Sequence, residues 1–154
     1  MPADNKPTFH DFILLLEQAV KSGETVNFTP NGKSMLPTIL PGIDTVSVSA
    51  PDDLKKYDII LYRRKNGKIV LHRIVIAHKG YYVLCGDNQF QLEYPITKEQ
   101  IIGKLSRITN KNTVINLEAP GFFHQLYVRI WDLRLILDKA LYHIIRLKKF
   151  LTKR

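Results

Sequence analysis

Disulfides, long apolar runs and acidic residues are what this chain has little of. Its 154 residues include one cysteine, Cys85, so no internal disulfide can form. Stability must then come from burial and hydrogen bonding, which suits a reducing compartment. Cys85 lies in a strand-like run away from any metal-ligand spacing and reads as a small buried hydrophobe. The histidines His10, His72, His78, His124 and His143 show no ligand spacing with acidic residues or with Cys85, so no metal or other cofactor is expected. Residues 9–20 are the first apolar stretch, but they are too short and too interrupted by charge for the ~20 apolar residues of a membrane span. No basic segment precedes them and no small-residue cleavage site follows, which argues against a secretory signal. The expectation is an unanchored, cytoplasmic protein.

What is present is a series of short β-like runs. They fall at 25–28, 45–48, 58–63, 68–76, 81–85, 101–108 and 113–116, punctuated by Pro41-Gly42, Asn66-Gly67, Gly80 and Gly86. Asn66-Gly67 is a strong hairpin signal and pairs 58–63 with 68–76. In the second of these runs, alternation sets Val70, His72, Ile74 and Ile76 on one face. Residues 9–20 predict an amphipathic helix packed on the core, with Thr8 as N-cap, Asp11 three residues later and Gly23 as its stop. The fold class predicted is mainly β: a coiled, mostly antiparallel sheet with a short N-terminal helix and a long amphipathic C-terminal helical tail. There is no repeat or low-complexity segment, and the length suits one compact domain with an appendage.

The chemistry-bearing residues fall into three segments. Ser34 sits in Asn31-Gly32-Lys33-Ser34-Met35-Leu36-Pro37-Thr38, where Gly32 permits a sharp turn and Pro37 restricts the chain beyond. A serine hydroxyl is a weak nucleophile at neutral pH and needs a base with a pKa near 7 beside it. His72 is the candidate, on a strand braced by its hairpin. Asp87 and Glu93 are the candidate carboxylates for orienting that imidazole. Each has a competing reading: Ser34 as a turn residue, His72 as a hydrogen-bonded core histidine, Asp87 as the side chain that closes the Gly86-Asp87 turn. Glu93, flanked by Leu92 and Tyr94, is preferred over Asp87 as the orienter because turn closure does not account for it.

Taken in order, Gly-x-Ser-Met-x-Pro, a strand ending in His-Arg-Ile, Gly-Asp-Asn and Ile-Ile-Gly-Lys at 101–104 resemble the signal peptidase and self-cleaving repressor superfamily of serine peptidases. The resemblance covers residues 24–108. Histidine in the His-Arg setting makes the chain similar to the Ser-His branch, the endoplasmic reticulum and archaeal signal peptidases, though without their N-terminal membrane anchor. The resemblance implies Ser34 as nucleophile, His72 as general base, Asp87 as the aspartate of the Gly-Asp-Asn turn, and Glu93 at a second acidic position that is usually aspartate. It implies an oxyanion hole built from backbone N–H groups, chiefly that of Ser34, because Gly32 replaces a serine common in that family. Two Gly-Asp turns of the family appear here as Gly42-Ile43-Asp44 and Tyr57-Asp58. The implied organisation is a helix over 1–23, a signal-peptidase-like β catalytic core over 24–118, and a basic amphipathic helical tail over 119–154.

Lys and Arg outnumber Asp and Glu by 23 to 14, a formal net charge of +9. Residues 122–154 hold six of those nine charges, with Leu126, Ile130, Leu133, Leu137, Leu141 and Ile144 on one helical stripe and Phe123, Tyr127 and Trp131 beside it. Such a helix suits peripheral contact with an anionic membrane, here at its inner face and through residues 122–151, where each basic side chain adds about 1 kcal/mol. It suits equally a helix packed on the sheet or on a second copy of the chain. Arg129, Asp132, Arg134, Asp138 and Lys139 argue against a span, at about 2.5 to 3.5 kcal/mol each near a bilayer centre. Nucleic acid is not favoured as a partner, since no groove-reading helix pair or base-stacking platform is present.

The function expected is a serine endopeptidase that cleaves a protein or peptide precursor, as in signal- or leader-peptide processing, by acylation of Ser34 with His72 as base. Its rate should fall as pH drops through an unperturbed histidine pKa of ~6.5. The alternatives are a catalytically idle adaptor of the same fold that binds a peptide or a membrane, and a self-cleaving regulator. The regulator would need a scissile segment ahead of the core, and few residues precede Ser34.

Overall fold

The computed structural model describes residues 8–111 and 113–119 and, further on, 126–128, 130, 131, 133, 134, 136, 137, 140, 141 and 144. Helix α1 (Phe9–Lys21) begins at a capping box in which Thr8 and Asp11 satisfy each other's backbone donors. Ser22 caps its C-terminal end, and Gly23 leaves the helix at φ +84°. Ile13, Leu16 and Val20 recur at helical spacing and are buried, so the helix lies with that stripe on the sheet. The ion pair of Glu17 with Arg63 ties its outer side to the third strand.

Eight antiparallel strands follow: β1 (Val26–Phe28), β2 (Thr45–Ser49), β3 (Ile59–Arg63), β4 (Ile69–His78), β5 (Tyr81–Cys85), β6 (Glu93–Ile96), β7 (Ile101–Asn110) and β8 (Thr113–Asn116). They form one open sheet in the order β1-β2-β7-β3-β4-β5-β6, with β8 added to β7. Residues 59–62 are buried at every position because each face of β3 packs into a separate core. Ile59 and Leu61 join the core beneath α1 with Val46, Val48, Leu105 and Ile108, whereas Ile60 and Tyr62 join a second core with Ile74, Tyr82, Leu84 and Ile96.

The Asn66-Gly67 hairpin forms as expected, with Ile60 opposite His72 and Tyr62 opposite Val70. Beyond Ile74 the expected alternation breaks. The register with β5 shifts between Ile74 and Ile76, so Ile76 is exposed, while Val75 packs with Val83, Cys85 and Trp131 in a cluster separate from that of Ile74. Strand β6 is not among the runs the sequence predicts, and it contains Pro95, a residue disfavoured within a sheet. It is tolerated because β6 is an edge of the sheet. The long C-terminal helix expected over 122–154 lies largely outside the described residues; those described between 126 and 144 have helical backbone. Of these, Trp131 is buried against Val75, Val83 and Cys85. No helix among the described residues is long and apolar enough to cross a membrane.

Candidate active site

Ser34 is carried by a loop whose neighbouring side chains are anchors. Met35 and Ile39 are buried in the core under α1, and the Ile39 N–H donates to the Met35 carbonyl at 2.9 Å. The base of the loop is closed by Gly42 N–H to the Pro30 carbonyl (2.9 Å) and by Leu40 N–H to Asp44 Oδ2 (2.7 Å). With Met35 pointing inward, Ser34 is left facing a cavity of about 820 Å³, a volume suited to a few residues of a bound chain. Phe12 and Ile13 of α1, Phe28 of β1 and residues 69–71 of β4 form its apolar walls; His72 lies among its lining residues.

The Gly86-Asp87-Asn88 turn fastens this loop to the sheet. Asn88 N–H donates to the Ser34 carbonyl at 2.8 Å, and Asn88 Nδ2 donates to the Lys33 carbonyl at 3.3 Å. Gly86 must be glycine for the approach: a Cβ there would stand 2.6 Å from the Ser34 carbonyl oxygen and 3.1 Å from His72 Nε2. The Ser34 backbone and the imidazole thus lie on either side of one missing methyl group. Among the described residues, the Ser34 N–H has no protein acceptor.

Proton accounting fixes the form of His72. Tyr62 donates its only hydroxyl proton to Glu93 Oε2 at 2.7 Å, and Glu93 also accepts from Arg64 Nε at 2.7 Å and from Arg64 Nη2. Tyr62 Oη lies 3.2 Å from His72 Nδ1 and Glu93 Oε1 lies 3.3 Å from it. With its proton committed, the phenol can only accept from the imidazole, and the carboxylate can only accept as well. Nδ1 therefore carries the hydrogen and Nε2 the lone pair. Nε2 is buried with no partner among the described residues, so it is not hydrogen-bonded to the Ser34 hydroxyl either. Bonds of this type often close only when substrate is present.

Burial pushes the His72 pKa down to about 4; Glu93 opposes the shift and Arg64 adds to it. The imidazole is thus neutral throughout the physiological range. Glu93 is held below the usual carboxylate range, burial opposing its bonds from Arg64 and Tyr62. The Tyr62 phenol is driven up, first by burial and then by its bond to Glu93, and stays protonated.

Asp87 is placed elsewhere. It accepts from Arg73 Nε at 2.8 Å, Arg73 Nη2 at 2.6 Å, Trp131 Nε1 at 3.0 Å and the Thr38 hydroxyl, and none of its hydrogen bonds goes to His72. The structure therefore brings Ser34, His72 and Glu93 to one region and gives Asp87 the task of joining the Ser34 loop to β4. Sequence reasoning did not single out Tyr62, Arg64 or Thr38. Tyr62 was within reach, since the Asn66-Gly67 register makes it the diagonal neighbour of His72 on the same face.

Among the described residues no group of His, Cys, Asp and Glu could hold a metal ion. No family model matches this chain, and no significant match to a curated protein or to a solved structure was found.

Proposed function

We propose that this protein is a serine endopeptidase of the signal-peptidase type. The observation that carries the reading is the buried His72 Nε2, without a partner among the described residues and with its tautomer fixed by Tyr62 and Glu93, beside the cavity that Ser34 lines. In this reading the Ser34 hydroxyl attacks a peptide carbonyl as Nε2 takes its proton. Glu93 stabilises the imidazolium through Nδ1–H, and the Ser34 N–H donates to the developing oxyanion. The proton passes from Nε2 to the departing amine, and a water activated by the same nitrogen releases the acyl-enzyme.

An extended peptide suits the cavity. Strand β1 is an edge, and β4 pairs with β5 only from Arg73 onward, so residues 69–71 present a free edge among the described strands. Both strands contribute to the cavity lining, and an open strand edge favours main-chain pairing with a precursor segment. The finer features belong to the same proposal: leader- or signal-peptide processing, a basic amphipathic helical tail over 119–154, and peripheral contact of residues 122–151 with an anionic membrane on the cytoplasmic side.

Mass-spectrometric profiling of a diverse peptide library, with and without anionic lipid, tests the reading. Wild type should cleave, and Ser34→Ala and His72→Ala should each lose on the order of 10⁴-fold or more in rate. Cleavage that survives in Ser34→Ala would sink it. The missing hydrogen bond between Ser34 and His72 favours a second reading, the idle adaptor. In that case folded wild type binds peptides in the library but cleaves none.

A further inference from the structure

The described helical residues contribute polar groups to the junction behind Ser34. Asp87 Oδ1 accepts from Arg73 Nε and from the indole N–H of Trp131 at 3.0 Å, while Oδ2 accepts from Arg73 Nη2 and from the Thr38 hydroxyl. These four donors fill the four acceptor positions of a carboxylate. Tyr127 Oη lies 3.4 Å from Thr38 Oγ1, and the Arg73 guanidinium stands 6.0 Å from the centre of the Tyr127 ring. Thr38 belongs to the Ser34 loop. Asp87 lies between Gly86, packed on the Ser34 carbonyl, and Asn88, whose N–H holds that carbonyl at 2.8 Å.

We propose that Trp131, assisted by Tyr127, is a positioning residue of the Ser34 site, acting through Asp87 to fix the distance between the Ser34 loop and His72. The proposal rests on the serine-peptidase reading for its activity readout only. Trp131 is 2 % exposed and packs on Val75, Val83 and Cys85, so its apolar bulk has a core role as well. Its N–H is separable from that bulk. Phenylalanine keeps most of the apolar contact, cannot donate, and leaves Oδ1 one donor short in a dry site. The correction available to Asp87 is a small displacement of the turn, and that turn carries Gly86 and Asn88.

The test compares wild type with Trp131→Phe and, as a milder variant that keeps the fold should the first not fold, Tyr127→Phe. In Trp131→Phe, kcat should fall between about 10- and 100-fold with KM little changed, the loss expected from a misplaced nucleophile. Labelling of Ser34 by a fluorophosphonate should slow in parallel. Independently of activity, amide hydrogen exchange at Asn88 should quicken at least about tenfold while that of β3 is unchanged. Tyr127→Phe should move the same quantities in the same direction by less.

A purely structural role predicts a lower unfolding midpoint with kcat per folded molecule and Asn88 exchange both unchanged, and that result overturns the proposal. If wild type is neither labelled nor active, the peptidase reading fails, and exchange at Asn88 alone decides the positioning role. The chain has no other tryptophan, so indole fluorescence reports whether Trp131 keeps its buried seat while these measurements are made.

Discussion

His72 and Arg73 are consecutive residues of one strand, and each meets a carboxylate, but the two pairs differ in their access to water. Arg73 and Asp87 are 1 % and 0 % exposed, and their contacts run through two parallel bonds. Glu93, by contrast, is 21 % exposed, and its cation, Arg64, is 31 % exposed, with only His72 and Tyr62 fully enclosed. A dry ion pair whose four carboxylate acceptor positions are all filled holds its two elements in one geometry, which suits a joint. A half-wet carboxylate beside a buried imidazole can answer a proton arriving there, because solvent and Arg64 already balance its charge. Side-chain type alone does not separate the two roles; solvation does.

The largest effect expected is at the dry pair. Asp87→Ala leaves the Arg73 guanidinium buried without its anion and should cost about 3–5 kcal/mol of stability. A urea-unfolding series checks this, and a loss under about 1 kcal/mol would mean that water reaches the junction. Glu93→Gln is the matching break on the other side. It should lower stability by about 1 kcal/mol, well under the loss at the dry pair, because the pair is partly exposed and glutamine still offers Tyr62 an acceptor, while lowering kcat of the proposed reaction about 100-fold by withdrawing the charge that steadies the imidazolium. Similar stability losses in the two variants would abolish the distinction between joint and candidate active site.

Acid sharpens the contrast further. The folded pKa of His72, about 4, lies below its unfolded value of ~6.5, so the unfolded chain binds the extra proton between those limits. Stability from this residue is complete above ~6.5 and declines as pH falls toward 4, by a few kcal/mol in all. Glu93 acts in the same direction, since its lowered pKa makes its contribution disappear as pH falls below the carboxylate range. If the proposed peptidase reading holds, its rate should be flat from pH 8 to 5 and fall only toward 4. This replaces the fall through ~6.5 that the residue type alone predicts. Removing Glu93 takes away a charge that favours the imidazolium, so Glu93→Gln should move the acid limb lower still. A limb near 6.5 in wild type would show that His72 Nε2 is hydrated.

How far these features are legible in the sequence depends on how local their causes are. The capping box at Thr8 and Asp11, the Asn66-Gly67 hairpin and the buried stripe of α1 each follow from residues a few positions apart, and each is found where it was expected. Strand β6 depends instead on being at a sheet edge, a fact of topology that makes Pro95 harmless. Turn propensity already favours Glu93 over Asp87 as the orienter, but the bonds of Asp87 to Arg73 and to Trp131, forty-four positions away, are not visible in local sequence. The exposure of Ile76 follows a register shift between Ile74 and Ile76 that strict alternation does not foresee.

The smallest expected effect lies at the rim of the dry pair. Arg73 Nη1 donates to the Tyr57 carbonyl at 2.9 Å, and Tyr57 is held at φ +79°, a conformation that favours glycine. The Tyr57 N–H donates to the Ile74 carbonyl at 2.7 Å, so hydrogen bonds to β4 hold the residue on both sides. Replacing the tyrosine also removes the contact of its ring with Lys56 Nζ, 4.6 Å from the ring centre. A comparison of Tyr57→Ala with Tyr57→Gly cancels that loss, because both variants lack the ring. Elsewhere alanine is the more stabilising of the two by about 0.5–1 kcal/mol through the entropy of the unfolded chain. At this position the order should reverse, with the glycine variant more stable by up to about 1 kcal/mol, because alanine keeps the Cβ that makes the left-handed region costly. Equal midpoints for the two would mean that Tyr57 leaves this conformation in solution, and the Arg73 side of the comparison would then be less rigid than its bonds imply.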